Sequence, residues 1–192
     1  HGEYALTSGL RHHSYDETLK ELVSYRIPNR RNGAIGAMGE LLLNVLIRDF
    51  TDMRIVSPFF NLEERSVKKG FDILAVDSNQ ELWIVESKAG ILSPRLTTST
   101  EKVCERLNVA KNDLDRRLNE DNSQLWLNAI NSVRTALDDN SEKRTVVAIL
   151  NENANSIGSD DKNVVLGGTV FSVFNSVIDE VRLEELYKKI LD

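Results

Sequence analysis

The chain has 192 residues, 41% of them hydrophobic and 28% charged, a balance that supports one globular domain and excludes a disordered or fibrous chain. Its single cysteine, Cys104, excludes an internal disulfide and a cysteine-built zinc centre, both of which need several thiols. The net charge of -6 argues against holding nucleic acid by bulk attraction, and the longest apolar stretch, residues 41–47, is too short to cross a bilayer.

A polar stretch through His13 leads into a short helix starting near Ser14 or Asp16, with Leu19, Leu22 and Val23 on its apolar side, and Pro28-Asn29 ends it. Residues 1–32 are therefore read as an N-terminal segment and 33–192 as the core domain. The run AIGAMGELLLNVLIRDF, residues 34–50, predicts a helix apolar around most of its circumference and so largely buried. Glu40 is the anomaly on it, and Gly36 and Gly39 would let it approach a sheet closely. Residues 54–60 predict a strand. GFDILAV and ELWIVESKAG, on either side of the polar DSNQ, predict a β-hairpin. Two amphipathic helices follow, over 98–119 with the stripe Val103, Leu107, Ala110, Leu114 and Leu118, and over 123–137 with Leu125, Trp126, Ala129, Ile130 and Val133. Cys104 lies on the first stripe, as a buried inert thiol would.

TVVAIL, residues 145–150, reads as a short buried strand, a further strand is expected near 169–174, and a helix over 176–191 closes the chain. This order predicts an α/β fold, a central mixed sheet covered by helices on its faces. Most of the excess acid lies in residues 121–192, with twelve acids against seven bases. The bases Arg26, Arg30, Arg31, Lys68, Lys69, Arg95, Lys102, Arg106, Lys111, Arg116 and Arg117 leave room for a positive groove on the first two thirds. The chain begins His1-Gly2 without a methionine, as a piece of a longer protein would. No signal peptide is visible, so an intracellular protein is expected.

Two acid-x-lysine triplets occur. Asp160-Asp161-Lys162 lies in a polar loop rich in Asn, Ser and Gly and reads as solvated surface charge. Glu86-Ser87-Lys88 ends a strand whose preceding residues, Leu82 to Val85, are apolar on both faces, which places it inside the sheet. With a strand period of two, Glu86 and Lys88 share a side. Asp72, in the other hairpin strand, stands at a comparable distance from the turn. Two buried carboxylates repel unless a cation neutralises them, and oxygen ligands this sparse suit Mg²⁺ or Mn²⁺ with phosphate oxygens from a substrate. The competing reading is a buried salt bridge that orients the hairpin, although such pairs are poor stabilisers.

The pattern resembles the PD-(D/E)xK nuclease superfamily, which places a glutamate on its first core helix, an aspartate on its second core strand and (D/E)xK on its third. The matching residues are Glu40 in GAMGELLLNVL, Asp72 in KGFDILAV and Glu86-Ser87-Lys88 in LWIVESKAG. More narrowly, GELLLNVLIRDF, KGFD and LWIVESK look like the nuclease subunit of Hachiman-type bacterial anti-phage defence systems, encoded beside a helicase partner. Phe71 stands where the superfamily's proline would be.

The resemblance implies a restriction-endonuclease-like core and a cytoplasmic enzyme hydrolysing DNA with Mg²⁺ or Mn²⁺. Asp72, Glu86 and the backbone carbonyl of Ser87 would hold the metal, and Glu40 a metal-associated water or second ion. Lys88 would orient or deprotonate the attacking water. Ser87 faces away from the site, which makes its hydroxyl a poor nucleophile. Lys102, Arg106 and Lys111 are weaker candidates for contacts to the phosphate backbone. The alternative is a non-catalytic nucleic-acid-binding or regulatory subunit that retains the fold.

Overall fold

The hairpin strands carry unbroken apolar runs, and such a run is stable only when both sides of the sheet are covered. The computed structural model, which describes residues 14–58, 70–93, 98–120, 123–155, 158 and 161–191, shows this arrangement. Strand β1 is Arg54–Ile55, β2 Ile73–Val76, β3 Leu82–Ile91 and β4 Asn163–Phe171, in the order β1-β2-β3-β4. The first three are antiparallel neighbours, whereas β4 runs parallel to β3, which makes the sheet mixed. Every residue of β2 is buried.

The hairpin turn is held by Asp77. Its carboxylate accepts from the backbone N–H groups of Asn79 and Glu81, both at 2.9 Å, and from the Trp83 indole at 3.1 Å. Gln80 completes the turn at φ 64°.

The chain enters through helix α1, Tyr15–Glu21, which widens into a single π-turn, Leu22–Arg26. Of its expected apolar side, Leu19 and Val23 are exposed and Leu22 is half-buried. Helix α2, Arg31–Phe50, covers one face of the sheet. Ile47 joins Ile73 and Val85 in a small core, with Leu43 and Val165 against it. Gly39 is what brings α2 down, because a Cβ there would stand 2.5 Å from the Ala89 Cβ. Gly36 has no such role: it is exposed, with nothing within 4 Å of where its Cβ would be. The expectation of a largely buried helix fails on its outer side, where Met38, Leu42, Leu46 and Phe50 follow one another at four-residue spacing and are exposed.

Helices α3, Ser99–Asn119, α4, Ser123–Ala136, and α5, Ser141–Ala154, form the layer on the other face. Thr98 and Glu101 close a capping box at the start of α3. Leu74, Val76, Leu82 and Ile84 from the sheet meet Leu114, Leu118, Leu125, Trp126, Ile130 and Val133 in the main core. Helix α6, Glu180–Leu191, packs on α3.

The reading of residues 145–150 as a strand is overturned, since TVVAIL lies inside α5. The Asn140 side chain accepts from the Lys143 N–H and starts the helix. Val146 and Leu150, one turn apart, are both fully buried while Ala148 is exposed. The β-branched run fixed attention on six residues where the longer 3.6-residue period decides.

Other boundaries shift for local reasons. Strand β4 begins at Asn163 and ends at Phe171, earlier than expected at both ends. Helix α6 starts at Glu180 because the Asp179 carboxylate caps it, accepting from the Arg182 N–H. Strand β1 stops at Ile55, where the Ser57 hydroxyl takes the Leu74 N–H at 2.9 Å, and residues 59–60 of the expected strand lie outside the described residues.

The two helix glycines give a paired test. Gly39→Ala, although alanine is the better helix former, is expected to destabilise by about 1–3 kcal/mol through overpacking. Gly36→Ala is expected to stabilise by about 0.5–1 kcal/mol through helix propensity alone. Urea denaturation of both variants checks the sign of each.

Candidate active site

Strand alternation sends Leu82, Ile84, Glu86 and Lys88 toward α3, and Val85, Ser87 and Ala89 toward α2. Glu86 is 1% exposed, continuing the line of buried residues below it. A lone carboxylate there would be costly, and the fold gives it two cations. Lys88 bonds Oε1 from two residues along the same strand, and Arg117 bonds Oε2 from α3. The other arm of the Arg117 guanidinium donates to the Gly70 carbonyl at 3.1 Å. One planar side chain therefore ties β3 to the segment that carries Asp72 into β2.

Asp72 immediately precedes β2, and its Oδ2 accepts from the Ser87 N–H at 2.8 Å. This bond crosses the hairpin and fixes one carboxylate against the backbone of the Glu86-Ser87-Lys88 strand. Phe71, at the proline position, turns into the core and meets Trp126 edge to face at 5.1 Å. The position anchors the loop by packing.

Glu40 arrives from α2 on the opposite face. It has no hydrogen-bond or ion-pair partner among the described residues. Burial, then the charges of Asp72 and Glu86, push its carboxyl up to about 8, against the opposing pull of Lys88. Burial and Asp72 also raise Glu86, opposed by Arg117 and Lys88. For Lys88, burial is outweighed by its bonds to Glu86 and Asp113, so the ammonium is held above its ordinary range.

Asp113 was not singled out in the sequence, and Arg117 appeared there only among the bases of a groove. Asp113 accepts from Lys88 at 3.0 Å and from Arg116 at 2.7 Å. Those bonds overcome burial and hold its carboxyl at about 2. Asp113 and Arg117 are four residues apart and stand directly before Leu114 and Leu118. An acid and a base at helical spacing beside an apolar stripe was the available signal.

The remaining candidates divide. Lys102 and Arg106 lie over Gly90, just beyond Lys88, but both engage Glu105. Lys111 turns away and donates to the Ile190 carbonyl, so the structure gives it the docking of α6 and does not bring it to the cluster. The Ser87 hydroxyl is on the α2 side, buried and without a partner. Cys104 is buried, which raises its thiol. Of the loop triplet, Asp160 is outside the described residues and Lys162 stands 5.9 Å over the Trp126 ring.

The sequence model of the HamA family matches residues 2–192. The chain belongs to the HamA family. HamA is the nuclease-like subunit of Hachiman, a multi-component anti-phage defence system. Neither the curated proteins nor the solved structures compared with the chain include a match. No helix among the described residues of this HamA chain is long and apolar enough to cross a membrane.

Two outcomes are expected of the cluster. Arg117→Ala leaves the Glu86 Oε2 and the Gly70 carbonyl unpaired, with Lys88 still on Oε1, and is expected to cost about 3 kcal/mol in urea denaturation. The second concerns pH. Glu40 titrates higher folded than its ordinary 4.5, so its contribution to stability is present below about 4.5 and lost as pH rises through about 8. In EDTA, wild-type stability is expected to fall across that window, and Glu40→Gln to flatten part of the slope.

Proposed function

We propose that this HamA chain is a divalent-metal-dependent nuclease that hydrolyses DNA phosphodiester bonds as the effector of its defence system, working with a helicase partner. The observation that carries the reading is the coupling of Glu40 from α2 to Asp72, Glu86 and Lys88 at the ends of two central strands, with Glu40 left without an ion-pair partner among the described residues.

The donor set fits Mg²⁺ or Mn²⁺ in chemistry, since all three acids offer oxygen and their mutual repulsion calls for positive charge. As the side chains stand, no group of three His, Cys, Asp and Glu among the described residues is set to hold a metal ion. Both oxygens of Glu86 are engaged by cations. Asp72, Glu86 and the Ser87 carbonyl would hold the ion, with Glu86 giving up one of its two cations. When bound, such an ion lowers the pKa of water and offsets negative charge built up on phosphate.

The chain's own groups divide the remaining work. Lys88 retains its proton because Glu86 and Asp113 raise it, so it serves as a donor that orients the attacking water and offsets phosphate charge. Glu40, pushed up to about 8 by burial and the neighbouring carboxylates, would ionise as a divalent ion binds and would then hold a metal-associated water or second ion from the α2 side. Asp113 and Arg117 are positioning residues, which fix Lys88 and Glu86 from α3.

The plasmid assay tests this. With Mg²⁺ or Mn²⁺, wild type is expected to nick or degrade supercoiled DNA, and Asp72→Ala and Lys88→Ala to lose about 100-fold or more. Degradation by the variants at the wild-type rate would contradict the assignment. Wild-type binding to DNA without cleavage, in the presence of its partner, would favour a non-catalytic subunit.

A further inference from the structure

The bases expected to form a positive groove are largely engaged by acids or carbonyls. Lys102 and Arg106 bond Glu105, Arg116 bonds Asp113, Arg117 bonds Glu86 and Lys111 bonds a carbonyl. Three bases that are not so engaged lie together in the most acidic third of the chain. Arg134 is in the last turn of α4, and Lys143 and Arg144 are in the first turn of α5. With Asp139 and Val147 they line a cavity of about 520 Å³ between the two helices.

None of the three has a side-chain hydrogen-bond or ion-pair partner among the described residues. Arg134 and Arg144 are exposed and Lys143 is half-buried. Asp139 is the one acid among the lining residues, so the cavity carries a surplus of positive charge in a chain of net charge -6. Like charges held together without partners repel and add nothing to the fold, whereas they form a ready counter-surface for an anion. Their exposure suits a polyanion that passes over the helices better than a small anion enclosed among them.

The helices that line the cavity belong to the layer on the same side of the sheet as Glu86 and Lys88. Helices α4 and α5 cover the side of the sheet from which Glu86 and Lys88 project. Within α4, Asn128 is beside Gly70, and the Gly70 carbonyl is held by the same Arg117 that holds Glu86. Arg134 is six residues further along, about 9 Å at the rise of an α-helix. We propose that the cavity between α4 and α5 is a second contact site for the phosphodiester backbone of nucleic acid, gripping a strand or duplex beyond the catalytic cluster. This rests on the nuclease reading for its substrate class.

The test is duplex binding in EDTA, where cleavage plays no part, followed by fluorescence anisotropy of a labelled 30-base-pair DNA across a salt series. Changing Arg134, Lys143 and Arg144 together to Gln is expected to weaken binding about 10-fold or more near 0.1 M salt, and to make the log-log salt slope shallower by about 2–3. Arg144→Gln alone is expected to change the slope by about 1, and its exposed position keeps the fold out of the comparison. Affinity and slope equal to wild type in both variants would overturn the proposal, as would a wild type that does not bind the duplex. Loss of inorganic phosphate binding with duplex binding intact would also overturn it, leaving a small-anion site. If the plasmid assay is blank while cavity-dependent duplex binding holds, the nuclease reading fails and the cavity stands. Cleavage with binding unchanged by the variants would mean the reverse.

Discussion

The carboxylate of Glu86, buried in the middle of the sheet, is the constraint around which the other parts are arranged. Removing a charge from water costs several kcal/mol after relaxation, so the group persists only with charged partners in place. Lys88 comes from the same strand, but Arg117 must come from α3, and this dictates how closely that helix lies on the sheet. The small residues of the strands permit that approach. A Cβ on Gly168 would stand 3.1 Å from the Val103 carbonyl oxygen, and one on Gly90 would meet Lys102 and Arg106 at 3.2 Å. Gly39 does the same for α2 from the opposite face.

A buried ion-pair network of this kind is a poor way to stabilise a sheet, since apolar residues of equal volume would serve as well or better. Its cost is intelligible if the charges have work to do. The imbalance within the cluster points the same way. Asp113 is satisfied by Lys88 and Arg116, and Glu86 by Lys88 and Arg117, whereas Glu40 is pushed toward neutrality by burial and by the charges of Asp72 and Glu86. The salt-bridge reading of the hairpin and the metal reading are therefore not exclusive. Lys88 and Arg117 hold the acids in the structure described, and a divalent ion would take over part of that neutralisation in the active form we propose.

Much of this was legible in the sequence because it depends on short-range patterns. The hairpin follows from two apolar runs around DSNQ, and the placement of Glu86 and Lys88 on one side follows from strand alternation. Glu40 stood out as a charge on an apolar helix face. What was not legible depends on longer range. That α3 crosses the sheet with Asp113 and Arg117 facing it is a tertiary outcome, and composition alone does not separate Arg117 from Arg116, one of which is buried and the other exposed. TVVAIL has the same local appearance in a strand and in a helix, and only the cap at Asn140 and the one-turn spacing of Val146 and Leu150 decide between them. Charge counts along the chain pointed to the first two thirds for a basic surface, because counting does not show which bases are already paired.

Metal binding is where the central claim is most exposed, and it is measured without reference to any substrate or partner. Titration of Mn²⁺ into the metal-free chain, followed by calorimetry or by the loss of the free Mn²⁺ electron paramagnetic resonance signal, is expected to show saturable binding that Asp72→Asn weakens at least about 10-fold. Absence of saturable binding in wild type, or equal binding in the variant, would contradict the account and leave the cluster as a structural ion-pair network.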